Sequence, residues 1–328
     1  MPLKTLEKTI SKNKYDRFHS FIRVKDGVAT AHDCDTWYST PCNDNIGSGI
    51  YHYQGFKDGI HLLNNDMSID DFLDVSESRA GAKTKILSKI VVTRDDMDSL
   101  KWVSKAMSTE ETRYYLNGVY VDQDCFVATD GHRLHMLKIK SEWIGSHTGG
   151  FIIPRKAFNL FISAMKESKA NKAIIKIREG NTQFIIGKTT ITTKNVDGTY
   201  PDYNRVIPST RGCNYQEYCP KEMAKHKNKI NAFSKAMEIS VKMITFPENK
   251  NTFILRNGLS EELEFDAGIS MPYQVSFNYK YLLDMNAGRL YMGKKGKKLN
   301  PQTRPHVIKG KDQKTGTEML GVIMPMRS

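Results

Sequence analysis

The sequence lacks a hydrophobic run long enough to cross a bilayer. Of its 328 residues, 39% are hydrophobic and 26% are charged, which is usual for a globular protein in water. The N-terminal segment MPLKTLEKTISKNKYDRF has no apolar core of the signal-peptide kind. We therefore expect a protein that makes no use of the membrane and works in the cytoplasm.

Cysteine is also scarce. The five cysteines, Cys34, Cys42, Cys125, Cys213 and Cys219, are scattered and form no CxxC pair. Structural zinc normally needs closely spaced pairs, and a disulfide framework usually has an even number of cysteines. The sequence therefore predicts reduced thiols, no metal site and no cofactor.

Recognisable catalytic motifs are missing as well. There is no HxxE zinc helix, no GxSxG elbow and no phosphate-binding loop. One segment, FVATDGHRLHM, places Asp130, His132 and Arg133 within four positions, as an acid/base pair with an anion-binding partner would require. A turn at Asp130-Gly131 followed by a strand explains the same residues, and no nucleophile or metal cluster accompanies them. The sequence therefore predicts a protein that is not an enzyme.

Positive charge is what the chain has in excess. Lys and Arg number 49 against 36 Asp and Glu, which gives a formal net charge of +13. Such an excess favours a polyanionic partner, most often nucleic acid, although a merely basic protein has the same balance. The positions of the lysines must decide between these alternatives.

The chain repeats one order of elements: helix, strands, helix, strands. In the middle of the chain, periodic apolar residues predict helices over 93–107 and 155–168, with strands over 114–154 and 173–194. The C-terminal third repeats this order with a helix over 220–240. The N-terminal part shares the tripeptide Val-Ala-Thr with the middle of the chain, where residues 127–129 repeat residues 28–30. Repeated units of this kind predict an α+β fold.

The repeats predict three domains of unequal size: 1–87, 88–209 and 210–328. The first has too few residues between its second helix, near Leu63, and the next domain to hold a full set of strands. We therefore expect a reduced first domain. Two strand-like pieces, Phe72 to Val75 and Lys85 to Val92, remain there, and one of them would offer an edge to the sheet of a neighbouring subunit.

Five motifs carry a family resemblance: TRYYLNGVYV, FVATDGHRLHML, IIPRKAF, VDGTYPDYNRVIP and the terminal VIMPMRS. In this order and spacing, from residue 112 to 328, they resemble the bacterial DNA polymerase III beta subunit family, the sliding clamps. The resemblance implies a DNA-clamp fold and a homodimeric ring that encircles duplex DNA irrespective of sequence. It also implies that short linear peptides of the replicative polymerase and the clamp loader dock on the ring.

The reduced first domain keeps an alternative open. A non-catalytic DNA-binding protein of the same fold, which recruits replication or repair partners without closing a ring, would have the same motifs. The short domain also suggests a phage-encoded clamp, which would act on DNA in the host cytoplasm.

The resemblance assigns a groove for partner peptides. Its residues are mostly apolar with a few polar anchors, which suits peptide docking. They are Arg113, Tyr114, Leu116, Thr129, Gly131, His132, Arg133, Leu134, Pro201, Arg205, Val206, Ile207, Asn278, Tyr281, Val322, Ile323, Met324, Pro325, Met326 and Arg327.

Basic residues on the predicted helices lie away from the apolar stripes. A clamp needs exchangeable, sequence-independent phosphate contacts, and such residues would supply them. The residues expected to face DNA are Lys101, Lys105, Arg155, Lys156, Lys221, Lys225, Lys229 and Lys235. A separate basic segment, residues 293–305, would contact DNA or an acidic partner, or serve only as a solubilising loop.

Overall fold

A computed structural model of the chain describes most of the sequence. The described residues are 3–10, 21–33, 35–42, 46–52, 85–123, 125–139, 143–144, 149–236, 243–256, 262–292 and 301–327. The second helix near Leu63, the strand-like piece Phe72 to Val75 and most of the basic segment 293–305 lie outside these ranges.

The chain folds into two compact units. Unit 1 comprises Met1–Ser104, Glu110–Asp124 and Lys140–Tyr200, and unit 2 comprises Lys105–Thr109, Cys125–Ile139 and Pro201–Ser328. The division into domains 1–87, 88–209 and 210–328 stays a prediction.

Unit 1 is built on a nine-stranded antiparallel sheet. With elements numbered in chain order, its strands are β1 (Phe21–Lys25), β2 (Val28–His32), β3 (Thr36–Pro41), β4 (Gly49–His52), β5 (Ile86–Thr93), β9 (Trp143–Ile144), β11 (Lys172–Arg178), β12 (Asn181–Ile186) and β13 (Thr189–Lys194). The strand order is β4-β1-β2-β3-β13-β12-β11-β5-β9. Strand β3 pairs with β13, so a single sheet joins the N-terminal strands to those near residue 190.

Among the described residues of unit 1, three helices and a further strand pair accompany this sheet. The helices are α1 (Leu3–Thr9), α2 (Met97–Ser104) and α3 (Arg155–Glu167), and the strands are β6 (Gly118–Asp122) and β10 (Phe151–Pro154). The apolar residues of α3 follow the helical period, and Phe158, Phe161 and Met165 are fully buried. This burial holds α3 against the sheet, because Phe161 stacks on Phe184 of β12.

Unit 2 contains two antiparallel sheets. The larger runs β7 (Cys125–Thr129), β8 (Arg133–Lys138), β21 (Glu318–Ile323), β20 (His306–Lys311), β19 (Gly288–Met292) and β14 (Asn214–Tyr218). The smaller runs β17 (Glu262–Asp266), β16 (Thr252–Arg256), β15 (Met243–Phe246) and β18 (Val275–Asn278). Helices α4 (Pro220–Ala224), α5 (Lys227–Ala236) and α6 (Tyr279–Asp284) complete this unit.

Several predicted elements were wrong in extent. The helix predicted over 93–107 begins only at Met97, because the Asp96 carboxylate accepts hydrogen bonds from the backbone N and the Oγ1 of Thr93, each at 2.7 Å. The strand predicted from Tyr114 begins at Gly118 and is preceded by a 3-10 helix over Glu111–Leu116.

The helix predicted over 220–240 is broken in two. Helix α4 ends at Ala224 and α5 begins at Lys227. Between them the His226 ring lies 2.9 Å from the carbonyl oxygen of Asp266 and packs on Phe265. A contact with a strand that is distant in sequence therefore interrupts a pattern that is locally helical.

The strand-like piece Lys85 to Val92 is confirmed as a strand. It forms most of β5, which lies between β11 and β9 in the unit 1 sheet. On the β9 side only Lys89 and Ile90 are paired, so within the described residues the chain itself occupies part of this edge. Strand β14, which no pattern predicted, pairs with β19.

Candidate functional site

The Asp130–Arg133 segment is a side-chain-capped turn. The Asp130 Oδ1 atom accepts hydrogen bonds from the backbone N of His132 and of Arg133, each at 3.0 Å. The turn needs Gly131, whose φ of 88° lies in the left-handed region. Thr129 closes it by donating from Oγ1 to the Arg133 carbonyl oxygen at 2.6 Å. Through these contacts the Asp130 carboxylate holds the backbone of the turn in place.

Arg133 is a buried anchor beneath this turn. Its residue exposure is 7%, and its Nε donates to Asp130 Oδ2 at 3.1 Å. One terminal nitrogen donates to Asp284 Oδ2 at 2.7 Å and the other to the Lys105 carbonyl oxygen at 2.5 Å. Its Cζ lies 4.3 Å from the centre of the Tyr281 ring. The nitrogens of the guanidinium therefore all donate hydrogen bonds, and one of its faces lies over the Tyr281 ring. The contacts with Asp284 and Tyr281 hold the turn against α6.

Asp284 is held charged by this arrangement. Burial alone would raise the pKa of Asp284, but the hydrogen bond from Arg133 and the charge of Lys105 outweigh it, so the pKa is lowered. Lys105 Nζ lies 3.2 Å from Asp284 Oδ1. Because the buried guanidinium has a carboxylate on either side, its charge is compensated.

The C-terminal strand completes the site. In the register of β8 with β21, Leu134 is opposite Val322 and Arg133 is opposite Ile323. Beyond β21 the backbone N of Met324 donates to the His132 carbonyl oxygen at 2.9 Å, and that of Met326 donates to the Ser276 carbonyl oxygen at 2.8 Å. The turn and the terminal segment, almost two hundred residues apart in sequence, are therefore direct neighbours in unit 2.

The exposed side chain of the turn is His132. Its ring stacks on Tyr281 of α6 with centroids 6.5 Å apart. Tyr281 is set at the start of α6, where Asn278 Oδ1 accepts from the Tyr281 backbone N at 3.3 Å and so caps the helix. The predicted residues His132, Asn278 and Tyr281 thus lie in one cluster.

The remaining predicted groove residues differ in exposure. Leu134, Val322 and Ile323 are buried, whereas Met324, Pro325 and Met326 are half-buried and Arg327 is exposed. The segment 201–207 is largely exposed, with Val206 at 49% and Arg205 paired to Asp202 at 3.2 Å. Arg113, Tyr114 and Leu116 belong to unit 1, where Leu116 is buried and Tyr114 is exposed.

The predicted DNA-facing cations fall into two groups. Lys101, Lys221, Lys229 and Lys235 are exposed, and within the described part of the chain no carboxylate lies at ion-pair distance from them. The other four are engaged or partly buried. Lys105 pairs with Asp284, Lys156 with Asp33 and Lys225 with Glu222, while burial lowers the pKa of Arg155.

The prediction that Lys105 lies on the helix over 93–107 was wrong. Helix α2 ends at Ser104, so Lys105 lies beyond it and points to Asp284. Asp284 itself was missed by sequence reasoning. The available signal was an acidic residue ending an otherwise apolar helix, and that signal is too common to be informative.

The described residues show neither a cluster of side chains suited to a metal ion nor a helix suited to a membrane. These residues contain no cluster of three or more His, Cys, Asp or Glu side chains placed to hold a metal ion. Among the same residues, no helix combines the length and apolar character needed to span a membrane.

Comparison with known proteins supports the resemblance. Residues 95–202 match the family model of the DNA polymerase III beta subunit, central domain. The chain is 33% identical over 192 residues to the beta sliding clamp of Caulobacter vibrioides, and 28% identical over 194 residues to that of Vibrio cholerae. Each alignment covers 55% of this chain and 50% of the relative. The chain therefore spans about half the length of the curated relatives it matches.

The fold extends the likeness further along the chain. A crystal structure of the Caulobacter crescentus DNA polymerase sliding clamp superposes with a TM-score of 0.73 at 19% identity, covering 99% of this chain and 96% of that one. A sliding clamp from Bartonella birtlesii bound to griselimycin gives 0.69 at 24% identity, covering 100% and 96%. The predicted α+β clamp fold is thus confirmed. Residues 95–202 thus match the central domain of the DNA polymerase III beta subunit family, and the chain has the fold of the sliding clamps.

Proposed function

We propose that this chain is a sliding clamp, a non-catalytic processivity factor that encircles duplex DNA and tethers a replicative polymerase. The observation that carries the proposal is the join between the Asp130–Arg133 turn and the terminal strand, made by the β8–β21 register and the Met324 hydrogen bond. This join brings two separate motifs of the resemblance into one surface, which a chance match of either motif would not do.

The charge distribution supports DNA as the partner. The chain carries a net charge of +13, and exposed lysines lie on α2, α4 and α5. Helix-borne cations of this kind make phosphate contacts that do not depend on base sequence. A clamp that holds DNA by encircling it needs no tighter contact. This proposal places the protein on cytoplasmic DNA.

The surface around His132 and Tyr281 is the proposed docking site for short peptides of the polymerase and the clamp loader. It combines an aromatic pair with the flexible side chains of Met324 and Met326, which adapt to different partners. The name of the Bartonella structure shows that a clamp of this fold binds griselimycin. Griselimycin is therefore a second probe for this chain.

The test is a peptide-binding measurement on the full chain. A randomised pool of short peptides is selected on the immobilised protein, and the winning sequence, called the core peptide below, is resynthesised and measured by fluorescence anisotropy. We expect Val206→Asp and His132→Ala each to weaken binding about tenfold, since each removes exposed apolar or aromatic contact area.

The matched control is Val28→Asp. Val28 is a valine of similar exposure, 38% against 49% for Val206, on β2 of unit 1. This variant should bind the core peptide and griselimycin as the parent chain does. Equal affinities of parent and both groove variants for the core peptide would overturn the proposed docking site.

A further inference from the structure

The proposed groove shares a sheet face with a second set of side chains. Alternate residues of a strand point to one face, so Leu134 and Met136 of β8 share a face, as do Val322 and Leu320 of β21. The groove residues Leu134 and Val322 are opposite each other and form one row across the sheet. A second row of side chains crosses the sheet beside them. This second row is Met136, Leu320, Lys309, Arg289 and Glu217. It lies about 7 Å from Leu134 and Val322, two residues along each strand.

A cavity of about 630 Å³ opens along this row. Besides the second row, its lining includes Tyr291, Met319 and two exposed charged residues, Lys311 and Glu318. Gly310, which lines the cavity where β19 meets β20, leaves room because it has no side chain. A Cβ at this position would lie 2.0 Å from the Ala287 carbonyl oxygen, so no larger residue fits there. Met136 and Leu320 are half-buried and give the cavity an apolar wall. We call this feature the second-row cavity.

The charges of the second-row cavity are unequally satisfied. Arg289 Nε pairs with Glu217 Oε1 at 3.3 Å, and its guanidinium also lies over the Tyr215 ring. Lys309 Nζ lies 2.8 Å from Thr210 Oγ1 and 5.4 Å from the centroid of the Tyr291 ring. Within the described ranges no carboxylate lies at ion-pair distance from Lys309. The other charged lining residues stand as opposite charges across two strand pairs, Arg289 with Glu217 and Lys311 with Glu318, so Lys309 is the cation in excess beside the apolar wall.

We propose that the second-row cavity binds an acidic segment of a partner protein, immediately flanking the peptide docked in the groove. A carboxylate of that segment would pair with Lys309, and an apolar side chain next to it would pack on Met136 and Leu320. Charge complementarity and the continuous sheet face argue for this occupant over an unrelated one. The inference rests on the proposed docking function, because the flanking segment needs a docked peptide beside it.

The experiment extends the core peptide with oligoglutamate or with oligoserine, at its N-terminus or at its C-terminus. Affinities for the full chain are measured by fluorescence anisotropy at low ionic strength. We expect oligoglutamate at one of the two ends to tighten binding about fivefold relative to oligoserine at that end. Lys309→Ser should abolish this gain and leave the affinity of the unextended core peptide unchanged.

Lys250→Ser is the control, since Lys250 is an exposed lysine of unit 2 outside this face and its removal changes the net charge equally. This variant should keep the gain. No gain at either end, or a gain that survives Lys309→Ser, would overturn the inference while leaving the groove intact. Failure of the unextended core peptide to respond to both Val206→Asp and His132→Ala would instead overturn the proposed docking site.

A competing occupant is single-stranded nucleic acid, which also favours cations beside aromatic rings. A labelled oligothymidylate serves as that probe. Binding of the oligothymidylate that disappears in Lys309→Ser, without any oligoglutamate effect, would replace the acidic segment by nucleic acid and overturn the inference.

Discussion

Two ionisable residues of unit 2 are charged or neutral for opposite reasons. Asp284 stays ionised because Arg133 and Lys105 surround it, which outweighs the cost of burial. His306 on β20 is neutral because burial lowers its pKa to about 4. Its Nδ1 lies 3.1 Å from the Arg304 carbonyl oxygen, and its Nε2 lies 2.8 Å from Tyr273 Oη. A ring that donates at Nδ1 and accepts at Nε2 satisfies both contacts without a charge.

The buried His306 predicts an acid-sensitive fold. Its pKa in the folded chain, about 4, is below the ordinary value of 6.5 expected after unfolding. The unfolded chain therefore binds a proton more readily, so the stabilising contribution is complete above pH 6.5 and falls as the pH drops towards 4. The decrease from this ring amounts to about 3 kcal/mol, because one pKa unit corresponds to about 1.4 kcal/mol.

The measurement is the free energy of unfolding by urea at several pH values between these limits. His306→Gln should flatten the dependence. His226→Gln, which changes a less buried histidine at the α4–α5 break, should retain it. A parent chain and a His306→Gln variant with the same pH dependence would contradict this account.

At the scale of elements, the helices divide the predicted DNA-facing cations. Lys101 on α2 and Lys229 and Lys235 on α5 are exposed, whereas Lys105 and Lys156 are tied to Asp284 and Asp33. A lysine held by a carboxylate contributes little to a phosphate contact, because that pair must first be broken. The exposed group should therefore account for most of the DNA affinity.

The triple variant Lys101→Glu, Lys229→Glu, Lys235→Glu should weaken binding to duplex DNA of any sequence. The slope of log affinity against log salt should fall by about one for each lysine–phosphate pair that the substitutions remove. Fluorescence anisotropy with two duplexes of unrelated sequence measures both effects.

A second triple variant separates position from net charge. Lys25→Glu, Lys188→Glu and Lys250→Glu alter exposed lysines of strand ends and turns by the same total charge. This control should keep most of the salt dependence. Equal weakening in the two triple variants would mean that only the overall charge matters, and weakening restricted to one DNA sequence would argue against a clamp.

For the whole molecule, the arrangement of subunits decides whether a ring forms around DNA. A head-to-tail contact that closes gives a ring, and one that does not close gives a filament. Strand β5 pairs with β11 on one side and, at Lys89 and Ile90, with β9 on the other, so part of its outer edge is already taken. In the described part of unit 2, β17 ends the smaller sheet, and its Leu263 is 37% exposed. An edge of this kind pairs readily with a strand of another chain.

We expect a homodimer that dissociates in the micromolar range, with about 8 kcal/mol of association free energy, because the first domain is predicted to be reduced and such a domain would offer a small interface. Sedimentation equilibrium over a wide concentration range measures this. Leu263→Asp should shift the equilibrium to monomer, and Val28→Asp, at similar exposure on β2, should not.

Retention on DNA distinguishes the ring from the open alternative. A closed dimer should remain on circular DNA and slide off the same DNA once it is linearised. A chain that is monomeric at every concentration and is retained equally on both forms would favour the DNA-binding protein that closes no ring.

Local sequence determined the elements with a clear period. The apolar stripe of α3 and the alternation along β11, β12 and β13 predict their existence and nearly their limits, because each pattern reflects burial on one side. The turn at Asp130-Gly131 was likewise predicted, since its hydrogen bonds run between residues at most four apart. Five short motifs were enough to indicate the family.

Tertiary structure alone decided which distant residues meet. Arg133 was predicted as a groove residue, but its buried position depends on Asp284, 151 residues away, and no local pattern specifies that partner. The same holds for β5, whose apolar alternation predicts a strand but not its pairing with β11, and for the break between α4 and α5, where His226 meets the Asp266 carbonyl. The second-row cavity arises from five strands whose residues are far apart in sequence. Strand register and buried ion pairs are set by contacts across the whole chain, whereas a single segment encodes only its own period and turns.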